Sequence, residues 1–144
     1  MGGPHTVSVF VDTSAWYAAA DVDDASHERA KARIEEFSGQ LVTTDHVLVE
    51  TWFLAAGRLG SSVAETLLER IRAGIATVEA AIVADLEVAA TIWSEFPDQE
   101  FSIVDRTSWA VMQRLGIHEA VAFDRDFAIF RFGAHRKQAF TVHA

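Results

Sequence analysis

Short apolar runs alternate along this chain with longer amphipathic segments. Runs of about five residues, rich in β-branched and aromatic side chains, predict buried strands at 7–11, 40–44, 75–80, 119–123 and 138–142. The segments between them have helical spacing and predict helices at 14–20, 23–39, 45–59, 61–74, 82–96 and 102–115. This alternation indicates an α/β fold, with a short-stranded, mostly parallel central sheet flanked by helices.

The composition fits one globular domain over residues 1–144. Half of the residues are apolar, with 10 Phe and 4 Trp, which is enough to build a core. No apolar run approaches the roughly 18 residues of a membrane span, and the N-terminal MGGPHTVS lacks the basic region of a signal peptide. With no cysteine, disulfides and thiolate zinc sites are excluded. We therefore expect a cytoplasmic protein with no membrane partner.

The net charge of −9 argues against a nonspecific nucleic-acid binder, whose surface is usually basic. The charge is unevenly distributed, however, because Arg125, Arg131, Arg136 and Lys137 fall close together near the C-terminus. Two interpretations stay open for this segment. It is either a solvated face or a rim that contacts phosphates.

Two acidic residues directly follow predicted strands. Asp12 comes after the strand at 7–11, and Asp124 comes after the strand at 119–123. The carboxyl ends of parallel strands meet at one edge of a sheet, where open α/β folds place ligands. Asp12 is also well suited to cap the following helix. We nevertheless expect Asp12 and Asp124 to be neighbours.

Two further acids lie on helices. Glu50 is in the helix at 45–59, which is apolar almost all round and should be largely buried, unless Glu50 emerges at an edge. Asp105 opens the helix at 102–115, where Ser102 and Asp105 fit a capping box. Asp105 also projects between Trp109 and Met112 on the apolar half of that helix.

Four carboxylates brought together repel one another and raise one another's pKa unless a cation neutralises them. Asp12, Glu50, Asp105 and Asp124 offer only oxygen ligands. Such a set suits Mg²⁺ or Mn²⁺, so the sequence predicts a metal site at this edge of the sheet.

These residues, in this order, resemble the PIN-domain nucleases, and most closely the VapC toxins of type II toxin–antitoxin pairs. VFVDTSAW (9–16) resembles the first-strand motif of that family, and DHVLVET (45–51) carries its helical glutamate. The segment 101–127, FSIVDRTSWAVMQRLGIHEAVAFDRDF, resembles its C-terminal signature and is the most specific part. The sequence departs slightly at Ile103-Val104-Asp105, where the family often has Phe-Thr-Asp, and its N-terminus precedes the first strand by several extra residues of no assigned role.

The resemblance implies a PIN-like three-layer sandwich and a Mg²⁺- or Mn²⁺-dependent endoribonuclease. Such a toxin is usually a homodimer that cleaves structured or messenger RNA and is inhibited by a cognate VapB-type antitoxin. Carried over by position, Asp12 and Asp105 would be direct metal ligands, and Glu50 and Asp124 would complete the catalytic quartet partly through water.

Residues with supporting roles follow from the same resemblance. Thr13, Ser14 and Thr107 match small hydroxyl residues that support the site. Asp126 has no firm counterpart and is interpreted as capping the turn before Phe127. The RNA that is cut is not evident from the sequence.

Other classes of protein fit less well. A phosphotransferase with Asp12 as nucleophile would want a second Asp two residues on, where Ser14 stands. A receiver-like domain would want a lysine near the last strands, and Lys137 is poorly placed for this role. A zinc hydrolase could pair His46 with Glu50 but has no further suitably spaced histidine. A catalytically silent PIN-fold module that binds RNA or protein remains the main alternative.

Overall fold

A five-stranded sheet, in which every pairing is parallel, forms the centre of the molecule. The computed structural model describes residues 7–144, so the N-terminal extension before residue 7 lies outside the described residues. The strands are short, and their order across the sheet is β3-β2-β1-β4-β5. Their bounds are β1 Val9–Val11, β2 Leu41–Thr44, β3 Thr77–Glu79, β4 Glu119–Val121 and β5 Thr141–His143.

Seven α-helices flank this sheet in residues 7–144, which confirms the predicted α/β sandwich. They are α1 Thr13–Ala20, α2 His27–Glu36, α3 Asp45–Leu59, α4 Ser61–Arg70, α5 Val83–Glu95, α6 Ile103–Leu115 and α7 Asp126–Ile129. None of these helices is long and apolar enough to cross a membrane.

The strand order creates a crevice beside β1. From β1 the chain moves outward through β2 to β3 and then returns to the other side of β1, where it forms β4 and β5. The connections that leave the carboxyl ends of β1 and β4 therefore diverge to opposite sides. Open α/β sheets bind ligands at such a switch point. Asp12 follows β1, and Asp124 follows β4.

An aromatic cluster packs the segment after β4 against α6. Trp109 stacks on Phe130 with ring centroids 4.3 Å apart, and Phe101 and Phe127 meet Trp109 edge-on at 4.8 and 5.5 Å. Aromatic pairs in these arrangements stabilise the core beyond the apolar area that they bury. The cluster thus holds the segment after β4 in a set position relative to the first turn of α6.

The prediction that the helix at 45–59 is largely buried is wrong. Val47, Leu48, Thr51 and Ala55 face the core, while Phe53 on the opposite face is 67% exposed. An exposed apolar helix surface of this kind is typical of an interaction site.

An ion pair between a buried carboxylate and a partly exposed guanidinium joins α5 to α6 and was not predicted. The Asp85 side chain is 3% exposed, and its two oxygens accept hydrogen bonds from Nε and Nη2 of Arg114 at 3.0 and 2.9 Å. Asp85 also caps α5, because its carboxylate accepts the N–H of Ile82 at 2.8 Å. Burial acts to raise the pKa of Asp85, but the bonds from Arg114 and Ile82 outweigh it and leave the pKa lowered.

Replacing Arg114 by Met should strand the Asp85 carboxylate in the interior. We expect the free energy of unfolding in urea to fall by roughly 2–3 kcal/mol, because a buried charge would lose its charge-assisted hydrogen bonds. The double variant Asp85→Asn/Arg114→Met should recover part of the loss. Arg33→Met, which removes the exposed pair with Glu36, is the control and should have a much smaller effect. Equal losses in the two arginine variants would contradict this role for Arg114.

Candidate active site

Asp12 leaves β1 directly into the crevice. Its N–H donates to the carbonyl of Val121 at 3.1 Å, which continues the ladder between β1 and β4 by one residue. The carboxylate is 2% exposed, and its Oδ2 accepts hydrogen bonds from the N–H and the hydroxyl of Ser14 at 3.3 and 2.8 Å. Asp12 therefore caps α1, as the simpler interpretation predicted. Its Oδ1 is buried and has no hydrogen-bond partner among the described residues.

Asp105 enters the crevice from the first turn of α6. Ser102 caps this helix, and its hydroxyl accepts the N–H of Asp105 at 3.1 Å, so this half of the predicted capping box is present. The Asp105 carboxylate is 4% exposed and lies against Asp12 and Asp124. Asp105 therefore belongs to the site, and Ser102 provides the cap.

Asp124 completes a group of three carboxylates. One oxygen from each of Asp12, Asp105 and Asp124 lies within 4.8 Å of the other two. Asp124 is half-buried, and its Oδ1 accepts the N–H of Asp126 at 2.9 Å. Three carboxylates at this spacing match the oxygen ligands that a hard divalent cation takes.

Ser14 ties the two strand ends together. Its hydroxyl donates to Asp12 and accepts the N–H of Phe123 at 2.9 Å. Asp124 is the next residue, so one side chain sets the separation between the acid after β1 and the acid after β4. This contact gives the supporting role of Ser14 a physical basis.

The electrostatics of the three carboxylates are unfavourable without a cation. Burial raises the pKa of Asp12 to about 6, although its bonds to Ser14 lower it, and the charge of Asp124 adds to the rise. Burial, together with the charges of Asp12, Asp124 and Glu50, raises the pKa of Asp105 to about 9. Near neutral pH at least one proton is therefore held within the cluster.

Glu50 stands apart from this group. It is half-buried on α3 and close enough for its charge to act on Asp105, but it is outside the set of carboxylates at ligand distance. The expectation that all four acids crowd together is met for three of them.

Thr13 and Thr107 are both buried beside the acids. Thr13 follows Asp12, and its hydroxyl has no partner among the described residues. The Thr107 hydroxyl donates to the carbonyl of Val104 at 3.1 Å and lies 3.5 Å from Nδ1 of His46.

The basic residues near the C-terminus do not share one environment. Arg125 follows Asp124 and is exposed. Arg131 donates to the carbonyls of Ala128 and Phe130 at 2.6 and 2.9 Å, so it caps the end of α7. Arg136 lies 3.8 Å from Glu95 and over the ring of Phe96, and Lys137 is exposed. Of the four, Arg125 is the one placed directly beside an acid of the cluster.

The predicted role of Asp126 as a turn cap is reversed in the structure. Asp126 begins α7, and its backbone N–H is the donor, while the carboxylate of Asp124 accepts. Burial raises the pKa of Asp126, and the charge of Asp124 adds to this. Asp126 thus helps to orient Asp124.

One basic residue near the site, Arg29, was not identified from the sequence. Arg29 on α2 lies over the Phe123 ring, with its Cζ 5.4 Å from the ring centroid. Arg29 occupies an ordinary exposed position of an amphipathic helix, so no local pattern distinguishes it. Its closeness to Asp124 arises from how α2 packs against the end of β4.

Comparison with known proteins gives a consistent result. Residues 9–133 match the model of the PIN domain family. The chain is 40% identical over 125 residues to the 23S rRNA-specific endonuclease VapC20 of Mycobacterium tuberculosis, which covers 86% of this chain and 95% of that protein.

Solved structures agree with this match. The crystal structure of M. tuberculosis VapC20, described as a sarcin-ricin loop cleaving toxin, superposes with a TM-score of 0.80 at 36% identity, over 85% of this chain and 94% of that one. A toxin–antitoxin complex from Klebsiella pneumoniae gives a TM-score of 0.62 at 16% identity, over 84% of this chain and 91% of that one, and shows likeness of fold alone.

Because the folded state holds protons that unfolded aspartates release, the metal-free protein should lose stability as the pH rises. The loss should begin near pH 4, the ordinary pKa of Asp, and continue toward pH 9, through the raised values of Asp12 and Asp105. Asp105→Asn removes the largest contribution. In EDTA at pH 7–8 we expect its melting temperature to exceed that of the wild type by several degrees, with a flatter pH profile.

Thermal melts at pH 5, 7 and 9 test this expectation. Asp98→Asn, which changes an exposed acid in the turn after α5, is the control and should follow the wild type. A wild-type protein that is as stable at pH 9 as at pH 5 would contradict the assignment of repulsion to this cluster.

Proposed function

The chain belongs to the PIN-domain family and, within it, to the VapC toxins, and we propose that it is a Mg²⁺- or Mn²⁺-dependent endoribonuclease. The observation that carries the proposal is the convergence of Asp12, Asp105 and Asp124 in the crevice between β1 and β4. The whole chain would form a single catalytic domain. This geometry favours an enzyme over a catalytically silent binding module, because three carboxylates this close repel one another unless a cation lies between them.

The residues present fit a divalent cation. Asp12 offers a buried Oδ1 that has no hydrogen-bond partner within residues 7–144, and the cluster offers only oxygen ligands. When bound, such a cation activates water for in-line attack and offsets charge on the scissile phosphate. Since Asp105 holds a proton near neutral pH, cation binding should release protons, and affinity should increase with pH.

Each acid has a distinct position relative to such a cation. We assign Asp12 and Asp105 as direct ligands, because they are the most buried acids of the cluster and the charge of Asp12 is the strongest of those that act on Asp105. Asp124 is oriented by the N–H of Asp126 and lies at ligand distance. Glu50 is farther away and half-buried, which suits contact through a water molecule.

The hydroxyl residues hold this arrangement in place. Ser14 sets the spacing of the two strand ends, and Thr107 fixes the first turn of α6. The unpartnered hydroxyl of Thr13 is available to a water or a phosphate oxygen. These are positioning roles.

The proposed substrate is the sarcin-ricin loop of 23S rRNA. The relative with 40% identity is named for cleavage of 23S rRNA, and its structure is named for this loop. Loops display unstacked bases and exposed phosphates, which proteins recognise more readily than the grooves of a helix. Cutting ribosomal RNA would stop translation, and we place this action in the cytoplasm.

Partners follow from the same family. We propose a homodimer, for which the exposed Val49 and Phe53 of α3 supply apolar surface. We also propose inhibition by a VapB-type antitoxin that places an arginine among the carboxylates. A guanidinium stays charged when desolvated and binds carboxylates in pairs, so it would substitute for the charge of the cation.

Cleavage of a synthetic sarcin-ricin stem-loop tests the enzymatic proposal. With Mg²⁺ or Mn²⁺ the wild type should cut within the loop, and EDTA should abolish the reaction. Asp12→Asn and Asp105→Asn should each reduce the rate at least a hundredfold, since a direct ligand contributes several kcal/mol of charge stabilisation. Asp98→Asn is the control. Undiminished cleavage by either active-site variant, with circular dichroism unchanged, would refute the assignment.

The proposed inhibition can be tested with the product of an antitoxin gene adjacent to this one. Excess Mn²⁺ should weaken its binding by competition, and replacing its pocket-facing Arg by Ala should restore cleavage. Exposed Phe53 and half-buried Trp52 are candidates to seat the antitoxin, whereas Trp16 is 2% exposed and belongs to the core. Inhibition that needs no arginine and is indifferent to Mn²⁺ would show that the antitoxin blocks RNA elsewhere.

A further inference from the structure

A second cavity adjoins the acidic cluster and shares Asp124 as a wall. Its volume is about 240 Å³, below the roughly 300 Å³ at which sites for drug-sized ligands begin, so it suits one small group. Its lining comes from the start of α2, the end of β4, the start of α7 and the end of β5: Ser26, Arg29, Ala122, Phe123, Asp124, Arg125, Ala128, Val142 and Ala144.

Two guanidinium groups flank this cavity. Arg29 projects from α2, with its Nη2 donating to the Ser26 hydroxyl at 3.2 Å and its Cζ 5.4 Å from the centroid of Phe123. Arg125, directly after Asp124, also lines the cavity. The chain has a net charge of −9, but these two guanidinium groups give the cavity a local positive charge. Positive charge at this point would attract a phosphate.

Two acceptor groups of the cavity already have hydrogen-bond donors. The Asp124 carboxylate accepts the N–H of Asp126 and belongs to the cluster of three acids. The backbone oxygen of Ala144 accepts a hydrogen bond from Nε of Arg33. The hydrogen bond from Arg29 to Ser26 is exposed and has a neutral hydroxyl as its acceptor, so a charged phosphate replaces it at little cost.

The cavity is also held at a set distance from the cluster. The N–H of Phe123 donates to the Ser14 hydroxyl, which donates in turn to Asp12. Two hydrogen bonds thus connect the wall of the cavity to an acid of the site. A group bound here would be positioned relative to the reacting phosphate, and positioning of this kind contributes strongly to rate.

We infer that this cavity receives the phosphate group next to the scissile phosphate, where Arg29 and Arg125 bind it. Arg29 lies over the Phe123 ring, which restrains its guanidinium and reduces the side-chain entropy lost when its N–H groups bind a phosphate. The inference rests on the proposed ribonuclease function. It adds two substrate-positioning residues, of which Arg29 lies outside the basic segment near the C-terminus.

The first test measures RNA binding without cleavage. In the Asp105→Asn background, the affinity for the stem-loop is measured by fluorescence anisotropy over a range of salt concentrations. Arg29→Ala and Arg125→Ala should each weaken binding at low salt, and each should reduce the slope of log affinity against log salt by about 0.7–0.9 per lost phosphate contact. Arg29→Lys should restore the slope, because it keeps the charge.

Arg72→Ala is the matched control. Arg72 is exposed in the segment before β3, at the amino end of a parallel strand and therefore at the opposite edge of the sheet. Its removal should change neither the affinity nor the slope beyond error. If Arg29→Ala and Arg125→Ala behave as Arg72→Ala does, the inference is wrong.

The second test measures cleavage in otherwise wild-type protein. Arg29→Ala and Arg125→Ala should raise KM about 5- to 50-fold with kcat changed less than about threefold, since each contact is made in the ground state and in the transition state. A purely structural role for Arg29 would instead lower the melting temperature and leave the salt slope unchanged, which overturns the inference. A wild type that binds RNA but does not cut it would refute the proposed function alone, because the slopes are measured without cleavage.

Discussion

Repulsion among buried carboxylates is the constraint on which the rest of this structure depends. Asp12, Asp105 and Asp124 place their oxygens within 4.8 Å of one another in a crevice that excludes most water. Left to themselves these side chains would move apart or expose themselves to solvent. The surrounding fold prevents both, because each carboxylate is fixed by the backbone element that carries it.

The restraints are short in range and few. Asp12 is held by Ser14, Asp105 by the cap of α6, and Asp124 by the N–H of Asp126. The aromatic cluster of Trp109 and Phe130 then fixes α6 against the segment after β4. Holding like charges together lowers the free energy of unfolding of the metal-free protein. This cost is typical of a site that a ligand completes.

The sequence carried much of this fold because its periodicities are local. Alternating short apolar runs and amphipathic segments predicted the five strands and the longer helices, with strand ends shifted by up to a few residues. Helix α7, at Asp126–Ile129, is too short to have a period and was missed. The burial of α3 was misjudged because apolar character alone does not reveal whether Phe53 faces this chain or a partner.

The same distinction applies to the site. Asp12, Asp105 and Asp124 were predicted because strand ends and a helix start are visible in the sequence, and parallel topology brings them together. The offset of Glu50, the pair of Asp85 and Arg114, and the contact of Arg29 with Phe123 depend on how separate elements pack. No local pattern encodes such contacts.

The charge distribution of the chain affects both the proposed cation binding and the proposed RNA binding. A chain with a net charge of −9 repels RNA at a distance, so attraction has to be produced close to the point of reaction. A cation among the carboxylates would attract the scissile phosphate. In the adjacent cavity, which Asp124 also lines, Arg29 and Arg125 attract the neighbouring phosphate. Because both attractions are local, an RNA must fit the crevice before it gains from either of them. An acidic protein of this design would select RNA by shape, which suits the proposed action on a single loop.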